Sequence, residues 1–516
     1  MTRIILFLIF ALAVAVRLIN FQESLYFGYD EARDAFDSQN IYLKGDLKIS
    51  GPPASAFRGI NHGPVYLYFI GPLFLLGGGN PYFVSVVFRF INALGVLLLF
   101  WLVRIYFDKK TALISALLFA LSFEQYQYAI FTGNPALSNV FWIVLFLGAG
   151  LVYKYEEKKK LGLFLMFLGA SSIAQFDLIL SYAFLTLILL LFLLKRKLKG
   201  IRFRDWLKIV FLGLIPVYSY PIAEIKNNFL GIKTLMSAAL DRTSILGKDQ
   251  SIGEIILKNY AGLFNDNVFK FNLSVGVSVV LLVGIILLLL YKAKSNYLSY
   301  FIVVWIFSLS FLLFTRGFVP YYSYAGVGIG VIVGTSVLLA WLYKKSLPLF
   351  LLALALIVFS NLPRIYLQSK KGLIVDIKAQ PKMLLSDEIK LIEETYKYAN
   401  GRGFTIRVTS MPYKIQTVWA YLYNQYGYKK YNYWPYLETG NVLGYPGVFP
   451  VPKLGTTCVR FLIREPVRGI PEILINNDVK EENQFSKLVQ EEKIGDFVLQ
   501  IREALDKNCH SQKGQL

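Results

Sequence analysis

Residues 4–34 read IILFLIFALAVAVRLINFQESLYFGYDEARD, a hydrophobic segment followed closely by the acidic motif Tyr29-Asp30-Glu31-Ala32-Arg33-Asp34. Two adjacent carboxylates beside a membrane segment need water or a cationic partner. The pattern therefore predicts a first membrane helix that leads into a hydrated, charged site. A carboxylate there can take a proton from a hydroxyl or hold the head group of a lipid-linked molecule. The alternative is a solvated helix start, where acidic residues suit the helix dipole.

The composition is that of a membrane protein. Mean hydropathy is +0.50, and hydrophobic residues make up 55% of the chain against 17% for charged ones, which excludes an ordinary soluble protein of 516 residues. The net charge of +21 comes from Lys and Arg in short loops between apolar runs, so we expect it to set membrane orientation and not to bind nucleic acid. Cys458 and Cys509 have no metal-binding or redox spacing, and whether they pair is left open.

Segment length separates membrane spans from buried core helices, since a span needs about 20 mostly apolar residues. The apolar run 64–78 is shorter, contains Pro72 and leads out through Gly77-Gly78-Gly79, so it is predicted to be a juxtamembrane or re-entrant helix. About 11 segments approach the required length: residues 4–21, 83–103, 111–131, 136–153, 161–177, 179–194, 207–222, 271–291, 297–315, 322–343 and 347–361.

Basic loops set the orientation. They lie at residues 104–110, 154–160, 195–204, 292–294 and 344–345, and the positive-inside rule places them all in the cytoplasm. They share that side with the N-terminus only if 64–78 does not cross the membrane. The remaining connections and the tail after residue 361 are then outside. The predicted location is the plasma membrane, with a cytoplasmic N-terminus.

Polar residues near the apolar segments then fall on the outer side. An ion or proton pathway would place ionisable groups near the bilayer midplane, whereas this set predicts a cavity that opens to the outer leaflet. Each residue taken singly has an alternative as a snorkelling or capped helix end, or, for the histidine, as a structural side chain. The set comprises Asp30, Glu31, Arg33, Asp34, His62, Arg89, Glu124, Asn134, Asp177 and Arg316.

These features resemble the GT-C superfamily of membrane glycosyltransferases. More narrowly, the chain is similar to the protein mannosyltransferase and aminoarabinose transferase group, as an uncharacterised bacterial branch, over residues 1–361. The first outer loop with Tyr29-Asp30-Glu31-Ala32 carries most of the resemblance. Weaker marks are His62-Gly63-Pro64, Asn80-Pro81, Arg89-Phe90-Ile91-Asn92, Gly133-Asn134-Pro135, Gln175-Phe176-Asp177 and Arg316 before Tyr321-Tyr322. Asn134 is a departure, because many relatives carry an acidic residue near that position.

The resemblance implies transfer of a sugar from a polyprenyl-phosphate donor to a glycan, lipid or protein acceptor at the outer membrane face. Asp30 and Glu31 are the expected catalytic residues, with a carboxylate as the base. Cations such as Arg316 and Arg89 are expected to stabilise the lipid phosphate. No cofactor is expected. Metal-independent chemistry is favoured because no acidic cluster has the spacing of a divalent-ion site, and a divalent metal is left open. The other expected substrate contacts are Arg33, His62, Asn134, Asp177, Tyr321 and Tyr322.

The chain changes character after Pro363. Alternating stretches at 405–408 and 459–463 predict strands, and 414–426 predicts an amphipathic helix. The predicted architecture is an all-α polytopic membrane domain of GT-C type over residues 1–361. An extracytoplasmic α+β domain follows over 362–516.

Two other functions compete with glycosyl transfer. A transporter or flippase of a lipid-linked substrate would predict internal repeats and charges at the bilayer centre, and neither is evident. A non-catalytic membrane scaffold would leave the acidic motif without a chemical role. The sugar, the acceptor and the oligomeric state do not follow from the sequence.

Overall fold

The computed structural model describes residues 1–54, 59–240, 252–271, 273–315, 321–378, 380–438, 442–443, 450, 457–466 and 468–514. The chain divides into two compact units. The first comprises Met1–Ile19, Lys48–Tyr66 and Val86–Leu367, and the second comprises Asn20–Leu47, Leu67–Ser85 and Gln368–Leu516. The acidic motif therefore belongs to the same unit as the C-terminal tail. The division into continuous domains at residue 361 stays a prediction.

Helices dominate the described chain. In chain order the α-helices are α1 (Thr2–Arg17), α2 (Tyr29–Leu43), α3 (Val65–Leu76), α4 (Pro81–Tyr106), α5 (Lys109–Leu121), α6 (Phe123–Ile130), α7 (Ser138–Lys154), α8 (Lys159–Phe176), α9 (Ala183–Leu194), α10 (Phe203–Gly213), α11 (Ser219–Lys226), α12 (Leu230–Leu240), α13 (Ile252–Asn267), α14 (Val275–Ala293), α15 (Ser299–Phe307), α16 (Gly328–Lys345), α17 (Leu347–Ser369), α18 (Leu385–Ala399), α19 (Thr417–Leu422), α20 (Lys429–Tyr431) and α21 (Glu472–Glu482).

Short 3₁₀ turns and one π-helical turn link several of these helices. The 3₁₀ turns are Asn134–Leu137, Glu156–Lys158, Leu178–Tyr182, Ile215–Tyr218, Ser308–Thr315 and Tyr321–Tyr324, and the π-helical turn is Tyr423–Tyr428. Among the described residues, strands occur only in the second unit and are β1 (Phe404–Thr409), β2 (Tyr436–Leu437), β3 (Val459–Arg464), β4 (Ser486–Ile494) and β5 (Phe497–Ala504).

Every apolar segment singled out in the sequence overlaps a helix, but several are interrupted. Residues 111–131 form α5 and α6, which meet at Ser122, whose hydroxyl caps α6 by accepting from the backbone N–H of Gln125 at 3.2 Å. Within the described chain, five helices are long and apolar enough to cross a membrane, or six if the bent pair α10 and α11 forms one span. The described chain is thus mostly helical, and the expectation of about 11 membrane spans stays a prediction.

The region 223–270, expected to be an outer connection, contains two helices that the sequence reasoning did not predict. These are α12 and α13. Helix α12 has 11 residues and α13 has 16, so both are shorter than the about 20 residues of a membrane span, and α13 also carries charged and amide side chains.

Small residues set the packing of α7 on α8 in the first unit. A Cβ added to Gly148 would lie 2.5 Å from the carbonyl oxygen of Gly162, and one added to Gly162 would lie 2.7 Å from the carbonyl oxygen of Gly148. The two backbones approach so closely that only glycine fits, as is common between membrane helices. Stacked rings of Phe146 and Trp305, with centroids 4.2 Å apart, extend this core to α15.

The second unit contains a five-stranded sheet over its described residues, in the order β2-β1-β3-β5-β4. Strand β1 is parallel to β2 and β3, while β5 is antiparallel to β3 and β4. The predictions of strands at 405–408 and 459–463 are confirmed by β1 and β3. The helix predicted at 414–426 corresponds to α19 and the π-helical turn after it.

Both faces of β1 are covered. On one face, Phe404 packs edge-on against Tyr396 of α18, with ring centroids 5.1 Å apart. On the other face, Arg407 lies 3.1 Å from Glu481 of α21, and Arg460 of β3 lies 2.6 Å from the buried Glu482. One face of the strand is therefore hydrophobic. On the other face the arginines form ion pairs with glutamates of α21, and these pairs offset the cost of burying the charges where α21 packs on the sheet.

Cys458 and Cys509 form a disulfide that joins chain positions 51 residues apart. A loop of this length restricts the unfolded chain, so we expect reduction to destabilise the second unit by about 2–4 kcal/mol. Thermal unfolding in detergent with and without reductant measures this loss. The matched control is the double variant Cys458→Ser/Cys509→Ser, whose unfolding should not respond to reductant. An unchanged unfolding temperature of the reduced native protein would contradict the expectation.

Candidate functional site

The acidic motif forms the first turn of α2. Gly28 is the N-cap residue, and its backbone N–H donates to Glu31 Oε2 at 3.2 Å. This capping contact places the Glu31 side chain against the helix start, where it is 5% exposed. A Cβ at Gly28 would lie 2.1 Å from the hydroxyl oxygen of Tyr26, so the tight entry into α2 requires glycine here.

Asp30 lies between two cations. Its Oδ1 accepts from Arg33 at 2.9 Å, and its Oδ2 accepts from Lys378 Nζ at 2.8 Å. Half of the Asp30 side chain remains exposed. The same ammonium lies 3.1 Å from Glu31 Oε1, so Lys378 bridges both carboxylates of the motif.

Arg33 and Asp34 complete the cluster. The Arg33 guanidinium lies 2.8 Å from Asp34 Oδ1 and 5.3 Å from the centre of the Tyr29 ring. The charged side chains of the motif thus form one cluster, and its role in catalysis stays a prediction.

The three carboxyl groups of the cluster have pKa values that are shifted in different directions. Burial alone would raise the pKa of Asp30, but the charges of Lys378 and Arg33 outweigh that effect and hold it well below its ordinary value. Burial raises the pKa of Glu31 despite Lys378, and burial raises that of Asp34 to about 7 despite Arg33. Asp30 is therefore the most strongly ionised carboxylate of the motif, and it is the one that solvent reaches.

Lys378 was not predicted from the sequence. It follows α17 in an irregular stretch, Asp376-Ile377-Lys378, which has no recognisable motif. Burial disfavours its charge, but Asp30 and Glu31 raise its pKa well above the ordinary value. Its ammonium also lies 5.3 Å from the centre of the Tyr26 ring. Only the tertiary fold brings this cation to the motif.

Backbone pairing holds the motif beside the chain that leads into α18. The N–H of Phe27 donates to the carbonyl of Met383 at 2.9 Å, and that of Leu385 donates to the carbonyl of Leu25 at 2.9 Å. On the other side of α2, the Tyr421 ring contacts Phe36 with centroids 4.9 Å apart. These contacts fix the start of α2 relative to the C-terminal part of the second unit.

His62, Asp177 and Asn134 come together in the first unit. His62 Nδ1 lies 3.3 Å from Asp177 Oδ1, and Asp177 is 3% exposed and caps the following turn by accepting from the N–H of Ile179 at 3.1 Å. Asn134 donates to the backbone carbonyl of Phe176, next to Asp177. The prediction of a substrate role for these three side chains is not tested by this proximity, and it stays a prediction.

Tyr321 is a buried side chain of the first unit. Its hydroxyl donates to Asp266 Oδ2 at 2.7 Å, and Asp266 also pairs with Lys270. Tyr322 is partly exposed in the same short turn. Substrate contact by either tyrosine stays a prediction.

A second buried polar group of the first unit joins three helices. Glu124 of α6 is fully buried and accepts from the amide of Asn267 of α13 at 2.7 Å. A Cβ on Gly328 of α16 would lie 2.6 Å from the Glu124 carboxylate. Glycine is therefore needed for α16 to pass this pair, and the contacts describe a packed helix junction.

Arg89 and Arg17 are almost fully buried guanidinium groups in helices of the first unit. Arg89 donates to the backbone carbonyl of Arg17, and Arg17 donates to Asn92 Oδ1 at 2.7 Å and to the carbonyl of Ala120 at 3.1 Å. The Arg17 contacts join α1, α4 and α5, a role that sequence reasoning missed. Phosphate binding by Arg89 stays a prediction, and Arg316 lies outside the described residues.

Within the part of the chain that the structure describes, no three His, Cys, Asp or Glu side chains are grouped as a metal site would require. Asp30 and Glu31 are already bridged by the ammonium of Lys378. The expectation of metal-independent chemistry stays a prediction.

Part of the chain matches the model of one protein family, and solved structures share its fold. Residues 61–220 match the family model described as dolichyl-phosphate-mannose-protein mannosyltransferase. This segment includes His62, Arg89, Asn134 and Asp177. No protein in a search of curated proteins matches the chain.

Solved structures share the architecture. ArnT from Cupriavidus metallidurans bound to undecaprenyl phosphate is 11% identical, with a TM-score of 0.57 and coverage of 98% of this chain and 99% of that chain. Its apo structure is 12% identical, with a TM-score of 0.56 and coverage of 96% and 97%. Archaeal oligosaccharyltransferase AglB from Archaeoglobus fulgidus, in complex with an inhibitory peptide and a dolichol-phosphate, is 11% identical, with a TM-score of 0.46 and coverage of 79% and 62%.

The shared fold with ArnT and the family-model match confirm the resemblance to the GT-C glycosyltransferases. Together with the apolar helices, they identify a membrane protein. The C-terminal sheet confirms that the tail is an α+β region.

Proposed function

We propose that this protein is a glycosyltransferase that moves a sugar from a polyprenyl-phosphate donor to an acceptor hydroxyl at the outer membrane face, with Asp30 as the base. The proposal is supported by the family-model match over residues 61–220 and by the fold shared with ArnT, whose structure was solved with undecaprenyl phosphate. The observation that carries it is the half-exposed Asp30 carboxylate held between Arg33 and Lys378.

The reaction needs one proton acceptor. The acceptor oxygen attacks the anomeric carbon of the sugar, the bond from that carbon to the phosphate oxygen breaks, and the electron pair leaves with the lipid phosphate. The acceptor hydroxyl becomes acidic as its bond to carbon forms, so a carboxylate of low pKa can take the proton late in the step. Asp30 suits this role because it is ionised and accessible.

Glu31 has a different proposed role. Its Oε2 accepts the N-cap N–H of Gly28 and its side chain is buried, so access for an acceptor hydroxyl is poor. Glu31 instead anchors Lys378 beside Asp30, at 3.1 Å from its own Oε1. We therefore assign Glu31 to positioning and Asp30 to proton transfer.

The departing phosphate needs cations. A guanidinium binds phosphate through two parallel N–H donors, and this contact strengthens as charge builds on the leaving oxygen. Arg316 and Arg89 remain the proposed phosphate ligands, and Arg33, His62, Asn134, Asp177, Tyr321 and Tyr322 remain proposed substrate contacts.

Transfer in vitro tests the function. The full chain, purified in detergent, is incubated with a short-chain polyprenyl-phosphate sugar and a panel of hydroxyl-bearing acceptors, and the release of free polyprenyl phosphate is measured. Release that depends on an acceptor supports glycosyl transfer. Movement of intact donor across vesicles without its cleavage would instead favour the flippase, and neither activity would favour the scaffold.

Orientation is tested by cysteine labelling. We expect Glu23→Cys and Lys507→Cys to react with an impermeant maleimide from outside intact cells, and Lys199→Cys to react only after the membrane is opened. All three positions are exposed, and the two native cysteines are paired, so the background should be low. The disulfide supports an oxidising outer space for the tail. Labelling of Lys507→Cys only from the cytoplasm would contradict the proposed orientation.

A further inference from the structure

A cavity of about 590 Å³ lies within the second unit, and its lining residues all follow residue 374. This volume falls in the range of small-molecule binding sites, roughly 300–1,000 Å³. Its wall contains four basic side chains and two acidic ones: Lys382, Arg464, Arg468, Lys493, Glu465 and Asp496.

The sheet register places two of the cations side by side. Arg464 of β3 and Lys493 of β4 both pair with Val498 on the intervening strand β5. Directly paired residues of neighbouring strands project to the same face, so the two cations flank Val498 on one face, roughly 10 Å apart at their backbones.

The positive charge of the wall is only partly balanced. Lys382 pairs with Asp496 at 2.8 Å, and Arg464 lies 3.3 Å from Glu491. Among the described residues, neither Arg468 nor Lys493 makes an ion pair, and the buried Nε of Arg464 has no hydrogen-bond acceptor. Donors and cations therefore remain available to a ligand.

Glu465 does not cancel this charge. Its Oε2 accepts from the N–H of Met411 at 2.8 Å and its Oε1 accepts from Trp419 Nε1 at 3.0 Å. Burial raises its pKa to about 7. Both oxygens are thus engaged by donors outside the cavity wall, and the four basic side chains outnumber the two acidic ones, so the wall carries a net positive charge.

One chain segment connects the cavity to Asp30. Lys378 contacts the Asp30 carboxylate, while Gln380, Pro381 and Lys382 border the cavity. Four residues span at most roughly 14 Å. Gln380 fixes this segment against the chain after β3 by donating to the carbonyl of Pro466 at 2.6 Å.

From this arrangement we infer that the cavity binds a phosphate- or carboxylate-bearing group of the acceptor substrate. The inference rests on the proposed glycosyl transfer for the identity of the ligand, but anion binding itself does not depend on turnover. Several cations around a pocket of this size suit a multivalent oxyanion, whose oxygens accept from Arg and Lys together. The wall belongs to the extramembrane sheet, and this favours a polar part of the acceptor over the prenyl chain of the donor.

Anion binding is measured first, by titrating the full-length protein in detergent with inorganic pyrophosphate at constant ionic strength. We expect saturable binding that weakens at least about tenfold in the double variant Arg468→Gln/Lys493→Gln, since two charge-assisted contacts are lost. Both side chains are exposed and unpaired, so the variant should fold. The control Lys480→Gln/Lys507→Gln removes the same charge from exposed positions outside the cavity wall and should bind like the native protein.

Steady-state kinetics then determine whether the anionic group that binds in the cavity belongs to the acceptor or to the donor. With an acceptor that carries a phosphate or carboxylate, the double variant should raise the KM for the acceptor and leave the KM for the donor unchanged. A raised KM for the donor alone would assign the cavity to the lipid phosphate and overturn the inference. Absent pyrophosphate binding, or an equal loss in the control, would also overturn it. If binding follows the expected pattern but no sugar is transferred, the proposed function fails while the anion site stands.

Discussion

Asp30→Asn should reduce sugar transfer by about 10²–10⁴-fold, the usual effect of removing a general base. The amide keeps the size of the side chain and can still contact Arg33, but it cannot accept the acceptor proton. Because the Asp30 side chain is half exposed, folding should change little. Initial rates with a short-chain donor measure the loss, and thermal unfolding of the same preparation verifies the fold.

Two companion variants make the result specific. Glu23→Gln removes an exposed acidic charge seven positions before Asp30 and should retain native activity. Glu31→Gln should reduce transfer less than Asp30→Asn, because it perturbs Lys378 and the N-cap without removing the accessible carboxylate. Native turnover by Asp30→Asn would remove Asp30 from proton transfer.

Local patterns were sufficient to predict the helices of the long apolar runs, the position of the acidic motif and two strands. Runs such as 83–103 are apolar enough to form a helix in any membrane context, and α4 covers that segment. The alternation in 405–408 and 459–463 predicts strands without knowledge of their partners. The acidic motif was located because it follows an apolar segment directly.

Tertiary features could not be predicted in this way. The interruption between α5 and α6 depends on the side-chain cap that Ser122 forms within an apolar run. A hydropathy profile cannot show such a cap. The network around Arg17 depends on carbonyl groups from residues more than a hundred positions away. The approach of Lys378 to Asp30, over 348 positions, depends on backbone pairing between the chain before α2 and the chain before α18. None of these contacts can be predicted from the sequence close to the residues that form them.

Lys378 is expected to control the basicity of Asp30, and its removal should produce the second large effect. In Lys378→Met the principal opposing charge next to Asp30 and Glu31 is gone, so the pKa of Asp30 should rise. A base acts only when deprotonated. A higher pKa therefore means that activity is lost at a higher pH as the solution is acidified. The acid limb of kcat/KM against pH should move upward by about one unit or more.

The same variant should lose stability, because Glu31 would remain buried without its cation. Breaking a buried ion pair costs about 3–5 kcal/mol, and the partial exposure of Lys378, 13%, places the expected loss at the lower end. Lys390→Met is the matched control, since the exposed Lys390 forms, among the described residues, a single ion pair, with Asp387 at 3.8 Å, and such surface pairs contribute about 0–1 kcal/mol. Lys378→Arg should restore both stability and the native acid limb, because a guanidinium keeps the charge. A merely structural lysine would lower stability without moving the pH profile, so a native acid limb in Lys378→Met would exclude control of Asp30 by this residue.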